Sequence, residues 1–125
     1  MTRADGRDGV AARERLRGER LAAPHLIDLE VTSVMRRLTL AGTFTVPRAG
    51  LTLDDLADLP LQRAPHLPFL ARCWELRANL TAYDAAYVAL AEALDVSLLT
   101  ADARLAHAPG PRCPVELLGA DVRDR

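Results

Sequence analysis

Two hydrophobic periods alternate along this chain, a helical one and short unbroken apolar runs. From Leu26 onward, Leu26, Ile27, Val31, Val34, Met35 and Leu38 recur at helical spacing, and Gly42 closes the run, which predicts a helix over about residues 25–42. Pro47 suits the first turn of a further helix that Pro60 must end. LPFLARCWELRANL, residues 67–80, predicts another, and LTAYDAAYVALAEALDVSLLTADARLA, residues 80–106, reads as a helix over 81–94, a buried strand over 96–100 and a short helix over 103–107. Strands are further expected near 21–23, cut by Pro24, near 61–64, and at PVELL, residues 114–118, while helix formers dominate residues 8–20. Short apolar strands separated by helices predict an α/β fold, a parallel sheet sandwiched by helices. At 125 residues the chain has the length of a single domain, with residues 1–7 and 119–125 expected as flexible ends.

Composition narrows the function. Half of the residues are hydrophobic and only 4% are aromatic, so the core must be aliphatic. A net charge of −1 argues against a protein that coats polyanions through bulk electrostatics, while leaving room for a local basic cleft. All sixteen basic residues are arginine, as expected of a GC-rich, bacterial genome, and any mechanism that needs a lysine is excluded. Among those is the phosphoacceptor chemistry of receiver domains, which also clusters acids at strand ends. Cys73 and Cys113 form no CxxC pair, and His25, His66 and His107 lack ligand spacing, so a reduced cytoplasmic protein without a zinc site is expected. No apolar run approaches the roughly 20 residues needed to span a bilayer, and no leader pattern opens the chain.

Three carboxylates stand out. Asp84 follows Thr81 in a T-x-x-D arrangement, which reads as a helix cap, yet Asp84 shares a helical face with Val88 and Ala91. Asp102 follows the strand VSLLT and can cap the next helix, but it also falls beyond the carboxyl end of a strand, where ligands of parallel α/β sheets gather. Glu30 interrupts the apolar face of its helix near Val34 and Leu38, whereas Asp28 and Arg36 point away as solvated charges. A carboxylate turned toward packed structure needs a proton, a partner or a cation. Three of them without histidine suit a hard, oxygen-seeking ion such as Mg²⁺ or Mn²⁺, which activates water for attack on a phosphodiester.

The segments APHLIDLEVTSVMRRL, LTAYDAAYVALAEAL and LLTADARLA, in this order and spacing, resemble a PIN domain, specifically the VapC-type toxin ribonucleases of bacterial type II toxin–antitoxin pairs. The resemblance runs from residue 10 to residue 118. It implies a magnesium-dependent endoribonuclease with Glu30, Asp84 and Asp102 as metal ligands, a homodimer, an RNA substrate and a small VapB-like antitoxin as partner. By the same resemblance Thr100 helps to orient Asp102 or a metal-bound water, where its ordinary role is a strand-end hydroxyl. Arg36, Arg37 and Arg104 could line an RNA cleft, since arginine pairs well with phosphate, or simply solvate helix surfaces. One departure is visible. Family members open with a buried central strand of the type VVDAS that supplies a further aspartate. This chain opens with MTRADG, and neither Asp5 nor Asp8 follows an apolar strand. Either the functional protein starts further upstream, or the chain is an inactive PIN-like scaffold that only dimerises or binds antitoxin.

Overall fold

Proline and glycine set several of the boundaries between elements. The structure, a computed structural model, describes residues 14–119, so the expectations for residues 1–13, including Asp5, Asp8 and most of the helix over 8–20, and for residues 120–125 fall outside the described residues. Residues 14–16 of that first helix are helical. The chain forms two compact units, Leu21–Pro65 and a second that joins the residues before Leu21 to those from His66 onward.

The first unit runs β1 (Ala22–Pro24), α1 (Leu26–Leu40), α2 (Val46–Asp58) and β2 (Gln62–Ala64). The strands pair in parallel with Ala22 opposite Gln62, and the N–H of His25 donates to the carbonyl of Ala64 at 2.9 Å where Pro24 has no N–H to give. Past α1 the chain turns at Gly42, whose φ of +79° is open to glycine at little cost. Thr45 caps α2 by accepting from the N–H of Arg48, Pro47 sits in the first turn, and Leu59, extended before Pro60, ends it.

Asp28, expected as a solvated charge, is instead the anchor of this unit. Arg63 on β2 donates Nε to its Oδ2 at 2.8 Å and Nη2 to its Oδ1 at 2.8 Å, and also reaches the carbonyl of Leu56 at 2.9 Å. One guanidinium thereby joins β2, α1 and the end of α2, and its hydrogen bonds hold the Asp28 carboxyl below the usual aspartate range.

The second unit continues with a 3₁₀ turn (Leu67–Phe69), α3 (Leu70–Glu75), α4 (Ala82–Leu94), β3 (Leu98–Thr100), α5 (Ala103–His107) and β4 (Val115–Leu117). Its core is Leu76, Ala85, Val88, Ala91, Leu98 and Leu105, all buried. The helix expected over 67–80 stops at Glu75, because Arg77 satisfies the carbonyl of Trp74 with both its backbone N–H and Nη1. Leu76 and Leu80 then enter the core from a turn rather than from a helix. Before β1, Arg15 pairs with Glu116 on β4. Cys73 and Cys113 are free thiols packed against the same core, and burial pushes both pKa values up, which makes them poor nucleophiles at neutral pH.

β3 and β4 pair in parallel, Leu98 opposite Val115. Among the described residues the four strands make two parallel two-stranded ladders, β1 with β2 in the first unit and β3 with β4 in the second. Each strand contributes only three residues to its ladder, so the stability of either pair must come from the helices packed on it.

Gly110 is the tightest point of the second unit. Its φ is +111°, and a β-carbon there would lie 3.0 Å from Cδ2 of Leu76, a side chain with 2% exposure, and 3.3 Å from Nδ2 of Asn79. Gly110→Ala is expected to destabilise the protein by about 1–3 kcal/mol, the usual cost of one forced backbone conformation. A thermal melt that does not move would sink this expectation.

Candidate active site

α4 explains why two aspartates sit in an otherwise oily stretch. Its sequence is rich in alanine, the best helix former, and six residues between Ala85 and Ala91 are buried. Thr81 caps it by accepting from the backbone N–H of Asp84 at 3.1 Å. The cap thus uses the backbone of Asp84 and leaves its carboxylate out. That carboxylate is half-buried and has no hydrogen-bond or ion-pair partner among the described residues. Its remaining local support is the positive end of α4, within whose first turn it stands.

Asp95 ends the helix in the left-handed conformation at φ 56°, its N–H directed to the carbonyls of Ala91 and Glu92, and sends the chain back as β3. Asp84 lies 11 residues before Asp95, about 16 Å along the helix axis. The extended return of seven residues, at about 3.3 Å each, is long enough to bring Asp102 back to the level of the first turn. Ala85, beside Asp84, and Leu105, in the helix that Asp102 caps, belong to the same buried cluster, as that return requires.

Asp102 is held by three hydrogen bonds, one of them from the N–H of Ala106 to its backbone carbonyl at 3.1 Å. Its backbone N–H donates to Oγ1 of Thr100 at 3.0 Å, and its Oδ1 accepts from the N–H of Arg104 at 2.9 Å, capping α5. Thr100 therefore fixes the backbone of Asp102, and its own carbonyl accepts from the N–H of Leu118 at 2.6 Å, which ties the site to the end of β4. The second oxygen of Asp102 has no partner among the described residues, and its side chain is 42% exposed. Arg104 reaches back to Oδ1 with Nε at 3.6 Å but is otherwise almost wholly in solvent.

Glu30 belongs to the first unit. It sits half-buried on α1 on the face that carries Ile27, Val34 and Leu38, as its spacing indicated, while Arg36 and Arg37 are exposed. Within neither unit do three His, Cys, Asp or Glu side chains gather among the described residues. Two recesses, about 370 Å³ beside Asp28 and Arg63 and about 240 Å³ beside Glu92 and Arg112, contain none of the three acids. The donor set is nevertheless of the right kind for a hard ion, since the oxygens left over at Asp84 and Asp102 belong to carboxylates and have no protein partner among the described residues.

The chain as a whole matches a known family. The model of the PIN domain aligns with residues 4–111. The chain belongs to the PIN-domain family. Ribonuclease VapC1 of Mycobacterium tuberculosis (strain ATCC 25618 / H37Rv) is 46% identical to this PIN domain over 114 residues, 90% of this chain and 86% of that protein. Ribonuclease VapC9 of the same strain is 42% identical over 107 residues, 86% and 84% of the two chains, and Ribonuclease VapC12 is 38% identical over 110 residues, 88% and 85%. The mixed helices and parallel strands of the structure are those of a PIN-like α/β fold. No helix among the described residues is long and apolar enough to cross a membrane.

Sequence reasoning overlooked Tyr83. It precedes Asp84 and is 65% exposed. Helical periodicity gave no signal for it, because exposure in a first turn depends on what lies around the helix end and not on spacing.

Proposed function

We propose that this PIN domain is a magnesium-dependent endoribonuclease, the toxin of a bacterial type II pair, in which Glu30, Asp84 and Asp102 hold the ion. The observation that carries the reading is the carboxylate of Asp84, left over by a cap that uses only its backbone, in a chain 38–46% identical to proteins named as ribonucleases. A divalent ion held by these oxygens, Mg²⁺ or alternatively Mn²⁺, supplies an activated water and neutralises charge at the phosphodiester. The residues do the rest. Thr100 keeps the backbone of Asp102 in place, the cap on Arg104 N–H fixes one carboxylate oxygen and leaves the other for the ion, and the guanidinium of Arg104, touching Asp102 only through Nε, turns its remaining N–H groups to solvent to meet a backbone phosphate. The protein works in the cytoplasm as a homodimer and is silenced by a VapB-like antitoxin.

Purified protein incubated with single-stranded RNA is expected to cleave it with Mg²⁺ or Mn²⁺ and to stop when EDTA is added. Calorimetric titration with Mn²⁺ checks the ion directly. Binding of antitoxin with neither Mn²⁺ binding nor cleavage would favour the scaffold reading.

A further inference from the structure

Aromatic residues are few here, five in 125, which makes their placement informative. Phe44, Phe69 and Tyr87 are half-buried, Tyr87 packs against the core of the second unit, and Trp74, though 68% exposed, has the guanidinium of Arg77 stacked 4.6 Å from its ring centroid. Tyr83 is different. It stands on the first turn of α4, one residue before Asp84, with 65% of its surface in solvent. From Ala85 to Ala91 the helix is largely enclosed, and its first turn presents two side chains of consequence, the phenol ring of Tyr83 and the carboxylate of Asp84, which has no partner among the described residues.

We infer that Tyr83 is a substrate-binding residue, a platform on which the RNA base next to the scissile phosphate stacks. The inference rests on the proposed reading of Asp84 as a metal ligand. A phosphate drawn to an ion at Asp84 carries a nucleotide on either side, and proteins that hold single strands stack such bases on aromatic side chains beside the groove that tracks the backbone. Adjacent α-carbons are about 3.8 Å apart, and a tyrosine ring stands several ångströms beyond its own. The ring therefore falls within reach of the neighbouring nucleotide. Every base offers a π-face, so such a contact holds single-stranded RNA in register without choosing a sequence. The exposed Arg104, beyond Asp102, supplies the complementary charge for the backbone.

The test uses the whole protein and a 12-nucleotide single-stranded RNA with one mapped cleavage site. Tyr83→Ala is expected to raise KM by about 5- to 150-fold, the equivalent of one lost base stack, with the loss falling on KM and not on kcat. Tyr83→Phe, which keeps the ring, should recover most of it. In a second arm, each of the two nucleotides flanking the cleaved bond is replaced in turn by an abasic ribose. One of these substrates should be bound worse by the wild-type protein by a similar factor, and Tyr83→Ala should be indifferent to it. A variant as sensitive to the abasic substrate as the wild type, or a loss that Phe does not restore, overturns the platform while cleavage itself stands. A wild-type protein that cleaves no RNA overturns the nuclease reading and the platform with it.

Discussion

Asp84→Asn is expected to reduce RNA cleavage by at least about a hundredfold, since losing a direct ligand should cost more than the 10- to 100-fold typical of a residue that only supports one. The same variant should keep its melting temperature to within roughly 3 °C, as replacements that break no internal contact do. The separation is possible because Thr81 caps α4 through the backbone N–H of residue 84, which asparagine retains. Asp102→Asn should behave alike, because asparagine caps helices as well as aspartate and can still accept from the N–H of Arg104. Asparagine thus distinguishes the two roles that the sequence left open for both residues. If either variant cleaves RNA at the wild-type rate, its carboxylate is no ligand. Mn²⁺ titration of the folded variants provides the check that does not depend on turnover.

The largest effect on stability is expected at Arg72. On α3 it donates Nε and Nη2 to the two oxygens of Glu92 at 2.8 and 3.0 Å, and Nη2 to the carbonyl of Gly110 at 3.0 Å. The same carboxylate accepts from the N–H of Arg112 at 2.8 Å, and both side chains of the pair are less than one-fifth exposed. α3, α4 and the loop before β4 meet at this ion pair. An exposed pair contributes about 0.2–1 kcal/mol, and breaking a fully buried one costs about 3–5, so Arg72→Ala should cost about 2–3 kcal/mol in this intermediate setting. The melting temperature should fall by about 10 °C or more. Lysine preserves the charge but not the two-pronged geometry, and Arg72→Lys should recover only part of the loss.

Acid should act on the same pair. The hydrogen bond from Arg72 holds the Glu92 carboxyl below its usual value of 4.5 despite the opposing effect of burial. A depressed carboxylate binds fewer protons folded than unfolded. Its contribution is whole at neutral pH and drains away as pH falls through the ordinary glutamate range toward the lower folded value. Asp28, held down by Arg63, adds a dependence of the same sign from the first unit. Urea midpoints at about pH 7 and about pH 4 should differ less in Arg72→Ala than in the wild type, and an equal difference would show that this pair does not carry the acid response.

How far the sequence foretold these contacts depends on how local they are. Every strand falls within or beside its expected range, and α5 covers residues 103–107 as expected, because Thr81, Pro47, Gly42 and Pro60 act within a turn or two of their own positions. Asp28 with Arg63 and Arg72 with Glu92 were invisible, being separated by 35 and 20 residues with no periodic signal to join them. The early stop of α3 was missed for a related reason, since it depends on one arginine side chain folding back on a carbonyl. For the candidate site, order and spacing singled out Glu30, Asp84 and Asp102, while the folded chain adds that the caps at Asp84 and Asp102 leave carboxylate oxygens over.

The only tryptophan of the chain, Trp74, lies on α3 with 68% of its surface in solvent and the guanidinium of Arg77 stacked 4.6 Å from its ring centroid. Its fluorescence is therefore already that of a wet indole in the native protein, and unfolding will shift the emission little. What the emission will report is the release of Arg77 from the ring, a local event at the end of one helix. Loss of the buried core will be seen in circular dichroism, and a fluorescence change without a dichroic one will mark the fraying of α3 alone.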